Sequence, residues 1–349
     1  MAKTLILTTF LLFTCIISCS ARFENVECLD ILQDVFPAVR VYKNGSIVRF
    51  FPEDFVEPAP NGDPQRGVRY KDVIIDEDRN VSARIFLPTV IRQPGRLLPV
   101  LIYYHGGGFT TGSPSSSTYT NYVSSVVARA NVVAVSVGYR LAPEFRQPIA
   151  YNDAWVALKW VFAHAQSHGG RGPEPWLRDY GDFNRAYVGG DSAGGNIAHN
   201  TVLRAGIERA SRIFVQGLFL NSPNFWGSTR IGGEEKRYDE VVFRNNLWLL
   251  VYPNVPATFD FPAINPSLDP NIHRLRATKL LLYVGGEDIL RDRGILYVDT
   301  LRKSRWGGSI QFYEVPGEGH VFDILNPDKD KARRMLDVVV SFISSGNAI

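Results

Sequence analysis

The sequence predicts an α/β protein built on a doubly wound, mostly parallel sheet. Three observations point there. Continuous apolar runs at 98–104, 131–137, 186–188, 213–220, 279–284 and 310–315 have the length and β-branched or aromatic content of strands covered on both faces. Stretches at 119–130, 151–164 and 331–343 carry apolar residues at spacings near 3.6 and read as intervening helices. Glycine-rich corners follow the runs ending at Tyr104 and Val188 directly, at the strands' carboxyl ends, where open α/β sheets place their sites.

With 349 residues and 45% hydrophobic content, the chain can bury a large core as one main domain. Lys and Arg number 38 against 35 Asp and Glu, and the signs alternate, as in Asp328-Lys329-Asp330-Lys331, so no nucleic-acid partner is expected.

Residues 1–21 read as a secretory signal. Lys3 is a short basic start, residues 5–17 are nearly all apolar, and Ser18-Cys19-Ser20-Ala21 offers small residues for cleavage. The run is short for a membrane span, so no stable membrane association is expected; an uncleaved anchor is the alternative. The chain is thus expected in the secretory pathway, secreted or retained in the endoplasmic reticulum or vacuole. The sequons Asn44-Gly45-Ser46 and Asn80-Val81-Ser82 agree and make Asn44 and Asn80 glycosylation candidates. Of three cysteines, Cys15 and Cys19 fall in or beside the signal, which leaves Cys28 without an internal disulfide partner.

Residues 29–36 have helix-like apolar spacing ended by Pro37, so a helix is expected there. Residues 39–50 alternate on both sides of Asn44-Gly45, a hairpin signal. The Pro-, Gly- and charge-rich stretch 52–67 reads as a connection between an N-terminal arm, 22–67, and the main body, 68–349. Residues 71–75 and 81–88 form the next strand pair.

Gly190-Asp191-Ser192-Ala193-Gly194 fits G-x-S-x-G, with a strand before and a helix after. The glycines allow a sharp turn that lifts the Ser192 hydroxyl above the sheet edge, and the new helix aims the Ala193 N–H at the same point. A merely flexible loop would not need that setting. His105-Gly106-Gly107-Gly108-Phe109 follows the 98–104 strand as a loop that presents backbone N–H groups; no Lys-Ser/Thr follows to make it a phosphate cradle. His105 is expected to brace the turn.

A serine nucleophile needs a base and an orienter. The chain has 6 His. His164 and His168 end a surface helix, His199 lies one turn into the helix after Ser192, and His273 sits in a Pro- and Arg-rich connection. His320 alone follows a late strand, in Pro316-Gly317-Glu318-Gly319-His320, where a base can reach back over the sheet edge. The acid should follow the strand before it, in Gly285-Gly286-Glu287-Asp288-Ile289-Leu290. Asp288 is the choice, with Glu287 and Asp292 as alternatives.

These motifs, with Tyr139-Arg140-Leu141-Ala142-Pro143-Glu144 and Asn196, together resemble the plant carboxylesterase branch of the hormone-sensitive-lipase-like α/β-hydrolases. The resemblance spans essentially residues 35–343. It implies an α/β-hydrolase fold with a helical cap made from the arm and an insertion at about 225–262, and a triad of Ser192, Asp288 and His320. It also implies an oxyanion hole from Gly106, Gly107, Gly108 and Ala193, with Gly106 shaping the turn. The implied reaction is hydrolysis of a small, fairly apolar ester through an acyl-enzyme, with no metal or organic cofactor, by a monomer or homodimer. Two further classes belong to the same resemblance: dehydratases, lyases or cyclases of plant metabolites, and gibberellin receptors, which lack the histidine kept here as His320. The signal segment departs from the family's mostly cytosolic members.

Overall fold

The computed structural model describes residues 30–51, 53–92, 95–165, 169–253 and 259–345. The expected signal, Cys28 and His168 lie outside the described residues.

The chain enters through a three-stranded antiparallel sheet of β1 (Ile31–Val35), β2 (Val39–Tyr42) and β3 (Ile47–Arg49). The β2–β3 hairpin turns at Asn44-Gly45 as expected, with Gly45 at φ +87° and the Asn44 carboxamide accepting the Ser46 N–H at 2.9 Å. The helix expected over 29–36 is not formed. So short a segment has too few turns to support a helix by itself, whereas β2 next door supplies ladder partners from Ile31 to Val35.

The main sheet has nine strands in the order β12-β11-β10-β9-β7-β8-β6-β5-β4. They are β4 (Ala59–Asp63), β5 (Val68–Asp76), β6 (Val81–Pro88), β7 (Leu98–Tyr104), β8 (Val133–Gly138), β9 (Gly181–Asp191), β10 (Val215–Asn221), β11 (Ala277–Gly285) and β12 (Ser309–Val315). β8, β7, β9, β10, β11 and β12 run parallel, and β6, β5 and β4 close one edge antiparallel. β4 lies inside the stretch expected to be a connection. The expected boundary at residue 67 falls in the β4–β5 turn, where Gly67 takes φ +67°, so the arm contributes the sheet's last strand.

Helices cover both faces. α1 (Ser117–Ala130) and α8 (Asp330–Ser344) pack on one side; α2 (Ile149–Phe162), α4 (Ser192–Ile207) and α6 (Arg291–Lys303) pack on the other. α3 (Pro175–Tyr180) leads into β9, α5 (Tyr238–Val251) belongs to the insertion, and α7 (Phe322–Leu325) follows β12. The two-faced burial explains the apolar runs of β7, β8, β9, β10 and β11; β12, expected to be covered in the same way, is instead the edge strand of the sheet, with none of its residues buried. In β11, Leu280, Leu282 and Val284 enter one core while Leu281 and Tyr283 enter the other. The insertion is pinned to the body by Arg293 of α6, which donates to both Glu234 oxygens at 2.6 and 2.8 Å, both side chains being buried. α5 in turn packs against β1, so arm and insertion together roof the sheet edge.

Where two strands must nest closely, glycine is required. A Cβ on Gly189 of β9 would lie 2.1 Å from the Phe219 ring in β10. Gly189→Ala is therefore expected to lower stability by about 1–3 kcal/mol through overpacking, read as an earlier urea midpoint. An unchanged midpoint would mean that Phe219 yields without cost.

Candidate active site

β9 ends at Asp191 and α4 begins at Ser192, whose backbone is held at φ +48°, a left-handed conformation unfavourable for a residue with a Cβ. The corner closes only because its flanks are bare. A Cβ on Gly194 would sit 2.0 Å from the Tyr104 carbonyl oxygen, and one on Gly190 2.4 Å from that of Gly194. The strain turns the Ser192 side chain toward His320, which stands in the loop between β12 and α7. The hydroxyl donates to Nε2 at 2.9 Å, and Nδ1–H donates to Asp288, in the loop after β11, at 2.8 Å. The other Asp288 oxygen accepts the Leu290 N–H at 2.9 Å.

Burial alone pushes the Asp288 carboxyl up, but the His320 imidazole, by charge and hydrogen bond, with Arg244 and the Leu290 N–H, brings it down to about 2. The two alternatives are placed elsewhere. Glu287 is exposed, and Asp292 pairs with Arg291 and accepts the Gly233 N–H of the insertion at 2.8 Å.

The remaining described histidines are structural. His105 is buried, donates from Nδ1 to the Gly106 carbonyl at 2.8 Å and stacks on Tyr139; burial pushes it down to about 4, so it stays neutral. His164 accepts the Glu174 N–H, His199 contacts the Tyr297 hydroxyl inside the core, and His273 lies against the Pro270 carbonyl.

In the glycine loop, Gly107, Gly108 and Phe109 take φ of +99°, +60° and +61° in succession. Gly107 and Gly108 face the cavity that holds Ser192 and His320. Among the described residues, the N–H groups of Gly107, Gly108 and Ala193 have no acceptor, so all three are free to serve an oxygen above Ser192. Gly106 corrects the expected set. Its N–H donates to Tyr119 at 2.8 Å and to Asp191 at 3.0 Å, which removes it from the oxyanion donors and makes it part of the loop's framework.

The cavity measures about 350 Å³. Phe51 of the arm and Phe243 and Leu247 of α5 give it an apolar wall, in which Arg244 is set as a buried cation. Arg244 donates to Asn224 at 3.2 Å, and burial pulls its pKa down against the pull of Asp288 and Glu240. Among the described residues no cluster of His, Cys, Asp or Glu is placed to hold a metal, and no helix is long and apolar enough to cross a membrane. Asn44 and Asn80 are exposed in turns.

A family profile described as alpha/beta hydrolase fold matches residues 101–324, well over half of the chain. The chain belongs to the α/β-hydrolase family. It is 40% identical over 318 residues to a 2-hydroxyisoflavanone dehydratase of Glycyrrhiza echinata, covering 90% of this chain and 96% of the relative. It is 39% identical over 313 residues to probable carboxylesterase 7 of Arabidopsis thaliana, covering 89% and 97%. Among solved structures it is similar to a Pyrobaculum calidifontis esterase, with a TM-score of 0.65, 26% identity, and coverage of 80% of this chain and 86% of that one. The chain is thus an esterase-like α/β-hydrolase with plant carboxylesterase relatives.

Sequence reasoning missed two members of the hydrolase site, Arg244 and Asp191. Arg244 lies in an insertion whose placement no local pattern discloses. Asp191 stands in the elbow motif itself, but its partners come from β7, α1 and the glycine loop. It accepts from the Tyr103 hydroxyl at 2.7 Å, the Gly106 N–H at 3.0 Å and the Tyr119 hydroxyl at 3.1 Å. Burial is the largest influence on it and outweighs those donors and His320, so its carboxyl is pushed up to about 6.

The two carboxylates thus shift in opposite directions from an ordinary 3.8. Lowered in the fold, Asp288 contributes stability that is present above 3.8 and lost as pH falls toward about 2. Raised in the fold, Asp191 contributes stability that is present below 3.8 and lost as pH rises through about 6. Urea midpoints measured across pH should show the advantage of wild type over Asp288→Asn shrinking from about pH 4 downward, and Asp191→Asn gaining on wild type from about pH 4 to 6. Differences independent of pH would contradict both shifts.

Proposed function

We propose that the protein is a serine carboxylesterase that hydrolyses small, largely apolar carboxylic esters through an acyl-enzyme on Ser192. The observation that carries this reading is the unbroken hydrogen-bonded chain from the Ser192 hydroxyl through His320 to Asp288, beside three unclaimed backbone N–H groups. In the proposed reaction Ser192 Oγ attacks the ester carbonyl while His320 Nε2 takes its proton. Asp288, ionised throughout the working range, fixes the imidazole tautomer and stabilises its positive charge. The N–H groups of Gly107, Gly108 and Ala193 receive the tetrahedral oxyanion. His320 returns the proton to the departing alcohol oxygen, then activates a water that releases the acid from Ser192. The cavity volume and apolar wall support a compact substrate, a small-molecule ester or an esterified plant metabolite.

The names of the dehydratase relatives from Glycyrrhiza echinata and Glycine max favour one second reading, elimination of water from a metabolite. That reaction draws on the base and the oxyanion donors and does not need a covalent serine. The two readings separate on Ser192→Ala. Hydrolysis of short-chain p-nitrophenyl esters and labelling by a fluorophosphonate should both be lost in this variant, and turnover should fall by about 10³ to 10⁴ in Asp288→Asn. Wild-type protein that hydrolyses no such ester but dehydrates a hydroxylated metabolite, with Ser192→Ala still active, would replace the first reading by the second.

The exposed sequons support entry into the secretory pathway as a further part of this proposal. Protein from a eukaryotic secretory host is expected to begin near residue 21 and to carry sugar on Asn44, Asn80 or both by mass spectrometry. An intact Met1 with bare asparagines would remove it.

A further inference from the structure

The residue before a helix is its natural cap, and an aspartate there ordinarily accepts the N–H of the second or third helical residue. Asp191 holds that position ahead of α4, where the second residue is Ala193, yet its side chain makes no cap bond. A carboxylate that capped α4 in the usual way would compete for the Ala193 N–H, which the reaction proposed above assigns to the oxyanion.

The structure shows what draws the carboxylate away. The Tyr103 hydroxyl from β7 donates to Oδ1 at 2.7 Å, and the Tyr119 hydroxyl from α1 donates to Oδ2 at 3.1 Å, each tyrosine being buried. Turned in this way, Oδ1 also accepts the Gly106 N–H at 3.0 Å, while Tyr119 Oη accepts the same N–H at 2.8 Å. Three donors converge on the carboxylate, which suits its ionised form. The approach is so close that a Cβ on Gly106 would lie 2.2 Å from Oδ2. Gly106 directly precedes the donors Gly107 and Gly108, so its bonds to Asp191 and Tyr119 anchor the start of the loop that carries them, while Phe109, at φ +61°, is the non-glycine residue held in the left-handed region at its far end.

We infer that Asp191 is a positioning residue with two linked effects: held by Tyr103 and Tyr119, it fixes the glycine loop against the nucleophile turn and leaves the Ala193 N–H open to the oxyanion. The inference rests on the esterase reading for its catalytic consequence. Its geometry is independent of that reading, because any reaction that places an oxyanion above Ser192 uses the same donors.

The test compares Asp191→Ala, Asp191→Asn, Tyr119→Phe and Tyr103→Phe with wild type. Three readouts are taken: kcat and KM on p-nitrophenyl butyrate, thermal midpoint, and the inhibition constant of an aryl trifluoromethyl ketone, whose hemiketal on Ser192 puts a stable oxyanion in the hole. In Asp191→Ala, kcat should fall about 10- to 100-fold and the ketone should weaken by a similar factor, with KM changed by less than about threefold. Asp191→Asn, which retains one acceptor oxygen, should recover part of both losses. The two Tyr→Phe variants should show the same coupled loss in smaller measure, and they remain readable if Asp191→Ala fails to fold. Ketone affinity within about threefold of wild type in folded variants would overturn the inference. So would a loss carried by KM with the ketone unaffected, which marks general disturbance of the cavity. If wild type hydrolyses no ester, the function proposed above fails, and ketone affinity across the variants still decides this one.

Discussion

Ser192 stands at φ +48° on the corner between β9 and α4, and the rest of the molecule is arranged around keeping it there. A strained residue persists only when its surroundings over-determine it. Here the surroundings are backbone: the carbonyl oxygens of Tyr104 and Gly194 approach Gly194 and Gly190 so closely that neither can bear a side chain. That closeness exists because β7 and β9 are hydrogen-bonded neighbours in the middle of the sheet. The same adjacency brings the glycine loop, which leaves the end of β7, over the serine, which leaves the end of β9. One register between two parallel strands therefore sets the distance between nucleophile and oxyanion donors.

The site holds two buried carboxylates within the same few residues' reach of Ser192, and their environments give them different work. Asp288 has an imidazole, a guanidinium and a backbone N–H facing it, which outweigh its burial and keep it ionised to about pH 2. Asp191 faces neutral hydroxyls and one peptide N–H, which together with the charge of His320 do not outweigh burial, so its carboxyl is pushed up to about 6. Separation of paired acids by environment is a general means of dividing roles in one pocket. Asp288 holds the His320 imidazole, and Asp191 holds the Gly106 N–H at the start of the glycine loop.

Above this framework lies the part of the molecule that shapes the cavity. The β1–β3 arm and α5 meet over the sheet edge, and the insertion carrying α5 is anchored by the buried Arg293 pair with Glu234. Removing one partner of such a pair leaves a buried charge uncompensated, a cost of about 3–5 kcal/mol, so Arg293 and Glu234 depend on each other. Phe51 from the arm and Phe243, Arg244 and Leu247 from α5 thus reach the cavity from two distant parts of the chain.

What the sequence determined by itself was the sheet, the strands buried at its centre, and the loops that bring Ser192, His320 and Asp288 into one hydrogen-bonded chain. Each rests on local physics: unbroken apolar runs for strands buried on both faces, glycines beside Ser192 for a corner that admits no Cβ, and strand order for the loops that hold Asp288 and His320. Tertiary structure decided what depends on neighbours far away in sequence. Residues 31–35 became a strand because β2 offered partners that outweighed a short helical pattern. Residues 59–63, within a stretch rich in turn residues, became β4 by pairing with the edge of β5. Gly106 looked like an oxyanion donor until Tyr119 and Asp191, from α1 and β9, took its N–H. A hydrogen bond between elements far apart in sequence leaves no periodic trace in either one, and it exists only once packing has brought donor and acceptor within reach.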